Sequence, residues 1–460
     1  MNYFSTRNKK LNLSFKKIFF KGLSEDGGLF LPNQIPKLSD KELKIFEKCN
    51  FQQMSFKIFK YFVGDTFSDN ELKKIIDTAY SKFREPNIID VKILDHISYI
   101  QLHHGPTLAF KDIAMQVLGG MYELLLKSEN IKINLVTATS GDTGAAAIDA
   151  IKDKKNVNIS VLHPHNKISS VQRQLMTTCN AENVFNIAIK GSFDDCQKIV
   201  KDMFVDQDFA NKINMSGVNS INWARIIAQI VYYFFIYYKF NNSKKPIVVS
   251  VPTGNFGDIY AGYVAKQMGL NIKELIVATN QNNILQRCID TGEYKPLDVA
   301  ESISPSMDIQ VASNFERILF YLCNENAEDL KKLMNDLKTK GYFKLSKKQL
   351  ENLRDHFSAS SCSEDETLKI IQNIHKKFDY LIDPHTATGV KPLLDQKYKR
   401  EECFCFETAH PSKFPAAILK AINLKPELPE NLKLNVNQEE KFIILDNNLE
   451  VIKEYISNKL

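Results

Sequence analysis

Apolar positions follow two different rhythms along this chain. In residues 40–49 and 69–83 they recur three and four apart, the spacing of helices with one buried face. Residues 1–88 are therefore expected to be a mostly helical N-terminal domain, closed by Glu85-Pro-Asn-Ile88. From Val91 onward short β-rich runs alternate with helical patterns. Strands are predicted over residues 91–102, 133–139, 156–162, 184–189, 246–251 and 274–279. Helices are predicted over residues 111–127, 168–178, 193–204 and 222–240, with an alanine-rich helix after residue 144. Strand–loop–helix repeats of this kind build parallel, doubly wound sheets, so an α/β fold of two lobes is expected over residues 89–425. Residues 318–378 break the rhythm with lysine- and acid-rich helical patterns, expected as a helical insertion. Strand signals return at residues 380–383 and 403–408, and residues 426–460 are expected as a C-terminal extension.

Composition narrows the function classes. At 460 residues the chain is too long for one core. The net charge of +6 comes from 60 basic and 54 acidic residues spread throughout, with no basic block interleaved with aromatics, so a nucleic-acid partner gains no support. The longest apolar run, residues 226–238, is interrupted by Gln229. It is shorter than the roughly 20 residues a bilayer span needs, so it is predicted to be a buried helix and no membrane partner is expected. Eight cysteines at positions 49, 179, 196, 288, 323, 362, 403 and 405 show no metal spacing. Reduced thiols and a cytoplasmic location are the simplest account, and no metal is expected. The first 24 residues lack acids, as a transit peptide does, but they run directly into Gly22-Leu-Ser-Glu-Asp-Gly-Gly-Leu-Phe-Leu-Pro32, a glycine turn feeding an apolar strand end, and are read as part of the fold.

Four stretches carry candidate chemistry, all placed where ligands gather in such folds, at the carboxyl ends of strands. His104-Gly-Pro-Thr-Leu-Ala-Phe-Lys111-Asp112 sends one lysine into a helix start. Ser140-Gly-Asp-Thr-Gly144 offers hydroxyls after a strand. Gly254-Asn-Phe-Gly-Asp258 is a glycine-rich loop opening a helix, a ready anion site but neither a Walker loop nor a dinucleotide fingerprint. Thr408-Ala-His-Pro411 ends the last strand. Arg225, near the start of the most apolar helix, is either a surface cap or a phosphate clamp. Each loop alone is equally well a tight strand-to-helix turn. Together, a lysine, an anion cradle and a late hydroxyl on parallel sheets suit pyridoxal 5'-phosphate, whose aldehyde needs an amine and whose phosphate needs N–H donors.

These stretches, with Asn219-Ser-Ile-Asn222 and Ser304-Pro-Ser-Met-Asp-Ile-Gln-Val-Ala-Ser-Asn-Phe-Glu-Arg317, resemble the longer, bacterial and fungal class of threonine synthases over residues 3–425. The resemblance implies fold type II of the pyridoxal-phosphate enzymes, with residues 89–425 as the catalytic region. It further implies conversion of O-phospho-L-homoserine and water to L-threonine and phosphate, by a monomer or a homodimer. Residue by residue, Lys111 matches the Schiff-base lysine, which also moves protons at the α and β carbons. Gly254, Asn255, Phe256 and Asp258 match the cofactor phosphate loop, and Thr408 the hydroxyl facing the pyridine nitrogen. Ser140, Asp142 and Thr143 fall where the substrate carboxylate is held, and Ser220 and Arg225 where the substrate phosphate is met. Asp142 departs from the asparagine of many fold type II enzymes and, when ionised, only accepts hydrogen bonds, so its role stays open. The alternatives are another lyase of the same fold, such as a serine/threonine dehydratase, and a non-catalytic phosphate-binding protein.

Overall fold

The structure, a computed structural model, describes residues 1–460 except 242, 244, 431 and 434–437. Its strand–helix units lay down two sheets. The larger runs in the order Phe357–Ser361, Ile272–Thr279, Ile247–Pro252, Glu402–Glu407, Ile97–Gln101, Asp90–Leu94. Its neighbours are parallel except the last pair, which is antiparallel. The smaller runs Ile443–Asp446, Val184–Lys190, Val157–Pro164, Ile133–Ala138, Met215–Gly217, with every pairing parallel. Ile247–Pro252 and Val157–Pro164 are buried at every position. Continuous burial marks strands covered by helices on both faces, which is why they read as unbroken apolar runs.

Three expectations are corrected. The N-terminal region is not mostly helical: it contains a three-stranded antiparallel sheet, ordered Asn8–Ser14, Asn2–Ser5, Phe30–Pro32. Its outer strand, Asn-Lys-Lys-Leu-Asn-Leu-Ser, has no buried residue and so no apolar run to announce it. Residues 91–102 are a hairpin, Asp90–Leu94 against Ile97–Gln101, turning at Asp95, which takes φ 55°. Residues 380–383 form no strand; they lead to Asp383, whose carboxylate caps the helix Pro384–Leu393. Elsewhere, Phe357–Ser361 within residues 318–378 is the edge strand of the larger sheet. Ile443–Asp446 joins the smaller sheet, and Ile452 and Ile456 of the helix Leu449–Lys459 bury against Ile187 and Met203 there.

The helix Trp223–Lys239 is the centre of the main core. It is buried without a break from Trp223 to Ile236 and packs on the helices Phe51–Val63, Lys111–Glu129 and Gly257–Gln267. Each large apolar side chain so buried contributes roughly 1.5–3 kcal/mol, so this one helix binds the N-terminal region to both lobes. Asn222 caps it, accepting from Ala224 N at 3.0 Å, and donates to the Phe19 carbonyl at 2.9 Å. Arg317, fully buried, makes a second junction. Its guanidinium donates to the Phe30 carbonyl at 3.2 Å and the Ile221 carbonyl at 2.6 Å, and also to Asn314. Among the described residues no helix is long and apolar enough to cross a membrane, no acid, histidine and cysteine cluster could hold a metal ion, and all eight cysteines are unpaired.

Candidate active site

The loop before Lys111 is held from both sides. Arg84 donates to the carbonyls of His103 and Gly105, each at 2.8 Å. The Asp112 carboxylate accepts from the Thr107 backbone at 2.8 Å and from its hydroxyl at 2.6 Å. Phe110 N donates to the Thr408 carbonyl at 2.9 Å, tying the loop to the end of the strand Glu402–Glu407. Lys111 therefore starts its helix in a fixed place, with 9% of its surface exposed.

Its amine faces Asp142, which opens the helix Asp142–Ile151 at the end of the strand Ile133–Ala138. The cap of that helix start is Thr139, whose hydroxyl accepts from Gly141 N and Gly144 N, leaving the Asp142 carboxylate free for other partners. It has four. Oδ2 lies 3.2 Å from Lys111 Nζ and accepts from the Ser306 hydroxyl at 3.1 Å. Oδ1 lies 2.7 Å from Lys413 Nζ and accepts from Gln172 at 2.9 Å. Burial alone would raise the proton affinity of Asp142, but Lys111 and Lys413 hold its pKa well below the usual carboxylate range. Burial pushes the Lys111 amine down; Asp142 opposes that shift, and the cations Lys413 and Arg225 add to it.

Opposite these groups, the strand Ile247–Pro252 turns through Gly254-Asn-Phe-Gly into the helix Gly257–Gln267. Phe256 takes φ 63°, a conformation a bulky residue adopts only when packing enforces it. Its ring is buried and packs edge-on against Phe315 and Phe357. A Cβ on Gly254 would stand 2.9 Å from the Ser306 carbonyl oxygen, so glycine alone lets the two loops approach. Between the lobes they leave a cavity of about 90 Å³ lined by Lys111, Asp142, Thr143, Ser220, Arg225, Gly254, Asn255, Phe256, Asp258 and Thr408. Ser140 does not line it; half-buried, it stands just ahead of the helix Asp142–Ile151.

The cavity fits an anionic cofactor. Arg225 is 3% exposed, yet its Nε and Nη1 have no protein partner, and neither has Oδ2 of Asp258. Burial pushes Arg225 down to about 10, and pushes Asp258 up to about 7 against the hydrogen bonds of Tyr232 and Tyr233. A buried guanidinium with free donors calls for an anion such as a phosphate. A buried amine, an N–H cradle at a helix start and the Thr408 hydroxyl complete the donor set that pyridoxal phosphate requires.

Eight lining residues were not among those singled out from the sequence, and they include Gln229, Ser306, Met307 and His385. Ser306 lies inside the long 304–317 motif, which was a signal for it. His385 carries no motif; its Nδ1 is 2.7 Å from Asp383 and its Nε2 accepts from Ser306 N at 3.2 Å, which places a ring proton on Nδ1. Lys413 and Gln172 touch Asp142 from behind and had no local signal.

Residues 2–80 match the family described as threonine synthase N terminus, residues 100–403 that of the pyridoxal-phosphate dependent enzymes, and residues 386–456 that of the threonine synthase C-terminal region. The threonine synthase of Pseudomonas aeruginosa is 39% identical, the match covering 99% of this chain and 98% of that protein. The crystal structure of pyridoxal-phosphate-bound threonine synthase from Brucella melitensis superposes with a TM-score of 0.96 at 40% identity, covering 100% of this chain and 99% of that one. The yeast threonine synthase structure gives 0.94 at 37% identity, covering 100% and 98%. With a fold of two parallel-dominated sheets, a lysine-lined cavity between them and full-length likeness of this kind, the chain belongs to the threonine synthase family of pyridoxal-phosphate-dependent lyases, fold type II.

Proposed function

We propose that Lys111 is the amine that joins the cofactor aldehyde and then carries protons in the conversion of O-phospho-L-homoserine and water to L-threonine and phosphate. The observation that carries this reading is a buried lysine, aimed into the cavity, whose proton affinity the site depresses. A base must be neutral to act, and desolvation beside other cations favours the neutral amine. Pyridoxal phosphate, when bound, supplies the electron sink that makes the protons near the substrate amine labile.

The other residues then divide the work. Gly254, Asn255, Phe256 and Asp258 cradle the cofactor phosphate at the start of the helix Gly257–Gln267. The neutral Thr408 hydroxyl, which lines the cavity, would meet the pyridine nitrogen of the bound cofactor and leave it largely unprotonated, restraining side reactions such as racemisation. Arg225, with Ser220, receives the substrate phosphate that departs from the γ carbon. The hydroxyls of Ser140 and Thr143 suit the substrate carboxylate. Asp142, placed with them in the sequence, has two lysines, Gln172 and Ser306 on its two oxygens, which supports a role in orienting the Lys111 amine. Lys111 moves protons at the α and β carbons, a proton is returned to the γ carbon that phosphate leaves, and water adds its hydroxyl at the β carbon.

The cavity is assembled within one chain, so the reading holds for a monomer and for a homodimer. Eight unpaired cysteines support a reducing compartment, the cytoplasm. The deciding assay is phosphate release coupled to threonine formation, with and without added cofactor. Lys111→Ala should lose both turnover and the visible absorption band of the loaded enzyme; a variant that keeps full turnover removes Lys111 from its role. Ammonia released from serine or threonine without phosphate chemistry would instead favour a dehydratase.

A further inference from the structure

Lys413 ends the short turn Pro411–Lys413, beyond the strand that carries Thr408. It is completely buried. Lysine is rarely buried without partners, and the Lys413 ammonium has two. It lies 2.7 Å from Asp142 Oδ1 and donates to the Thr107 carbonyl at 2.8 Å. Its own carbonyl accepts from the Ser169 hydroxyl at 2.9 Å, at the start of the helix Ser170–Thr177. One side chain thus touches both the loop that presents Lys111 and the helix start that presents Asp142.

The two lysines of Asp142 are not equivalent. Lys111 binds one carboxylate oxygen and faces the cavity; Lys413 binds the other and is sealed behind it. Only Lys111 can exchange its proton with a ligand. If Lys111 were the sole cation beside Asp142, every loss of its proton would strand a buried carboxylate without a counter-charge, a state proteins avoid.

We propose that Lys413 is a positioning residue: the fixed counter-charge that keeps Asp142 a carboxylate aimed at the Lys111 amine while Lys111 gives up and regains its proton. The proposal rests on Lys111 being the reactive amine, and deepens that reading. The other charged or titratable groups around the pair are Arg225 and Asp258 across the cavity, His385 against Ser306, Asp112 on the Lys111 loop, and His410 at the start of the Lys413 turn. They are unchanged in the variants below.

The test uses the cofactor-loaded enzyme and reads a pH midpoint in two ways, from the acid limb of kcat and from the visible absorption spectrum. Lys413→Met removes a cation that disfavours the protonated amine, so the midpoint should rise by about one pH unit or more, with activity lost at neutral pH and regained in alkali. Lys413→Arg should keep the wild-type midpoint. Asp142→Asn should move it the other way. If Lys413→Met is not recovered folded, Lys413→Gln takes its place, since it can still donate to the Thr107 carbonyl without the charge. A variant whose activity falls equally at every pH, with both midpoints unmoved, makes Lys413 a packing residue and overturns the proposal. Lys111→Ala is the separate control: persistence of its visible band would refute the reading of Lys111 on which the proposal rests, whereas loss of that band with unmoved Lys413→Met midpoints would refute the role of Lys413 alone.

Discussion

Replacing Arg225 by Met should stabilise the ligand-free protein while crippling it as an enzyme, and the two effects can be sized from the structure. The guanidinium is 3% exposed and lacks partners for Nε and Nη1. Burial lowers its pKa from 12.5 to about 10. At about 1.4 kcal/mol per pH unit, holding that charge costs the folded state about 3 kcal/mol. The sign is that of a cation whose folded pKa is depressed, so the penalty is present at neutral pH and fades only in strong alkali. Met fills a similar volume without the charge. Unfolding entropy of about 2.1 cal/mol/K per residue, over 460 residues, is about 1 kcal/mol/K, so the Tm of the ligand-free variant should rise by about 3 °C. Against this gain stands the loss of a charge-assisted contact to the substrate phosphate. At about 3 kcal/mol it lowers kcat/KM roughly 100-fold, chiefly through KM, while the visible band of the bound cofactor stays. Inorganic phosphate should raise the Tm of the wild type more than that of the variant, which keeps only the Gly254–Asp258 cradle. Calorimetry and a phosphate-release assay measure both arms. A variant with a lower Tm and an unchanged KM would refute the reasoning, since it would mean that Arg225 already has its partner in the fold.

Asp258 makes a second test of burial. Its folded pKa, raised to about 7, means that its contribution to stability is intact below about pH 4, declines as pH rises through the window up to 7, and then stays low. In the cofactor-free protein Asp258→Asn should therefore matter little at pH 4 and stabilise by about 4 kcal/mol at pH 8; urea unfolding with the same difference at both pH values contradicts this. Gly254→Ala places a methyl 2.9 Å from the Ser306 carbonyl oxygen, so cofactor affinity should fall about tenfold or more, and an unchanged absorbance titration would show that the two loops can part freely. Glu316 accepts from Thr6 at 2.6 Å and holds Arg7 at 2.7 Å. With Arg7 partly in solvent, Glu316→Gln should cost about 1–2 kcal/mol and speed amide hydrogen exchange at Phe30 and Leu31; exchange equal to wild type would show that the N-terminal sheet is anchored elsewhere.

What could be read from the chain in advance followed the range of the interaction. Lys111, Asp142, Gly254 and Thr408 each close a strand or open a helix, so their meaning is local and their stretches carried it. Ser306, His385, Gln172 and Lys413 reach the cavity only through tertiary contacts. Asp142 and Lys413 are 271 positions apart, yet 2.7 Å apart in space, and no periodicity announces such a pair. Asp142 illustrates the cost of that blindness. As an isolated acid in a hydroxyl-rich loop it was matched to the substrate carboxylate site; its four protein partners, one of them a lysine far along the chain, could not be read there. The sheet errors had a different origin. Parallel strands buried on both faces are conspicuous, whereas the exposed strand Asn8–Ser14 resembles a polar loop until its partners are in place.

Arg317 has a consequence for how the chain can be divided. Two of its acceptors are main-chain carbonyls, one in the strand Phe30–Pro32 and one at Ile221, directly beside Ser220. Main-chain acceptors make no demand on side-chain identity, so the residues there can vary while their spacing to Arg317 cannot. The N-terminal strand is thus part of the foundation of the loop assigned to the substrate phosphate. A chain begun after residue 88 would keep every residue given a chemical task, but the Arg317 guanidinium would face an empty slot where Phe30 stood, and the loop at Ser220 would lose its brace. Catalytic residues and separable modules are different partitions of this molecule.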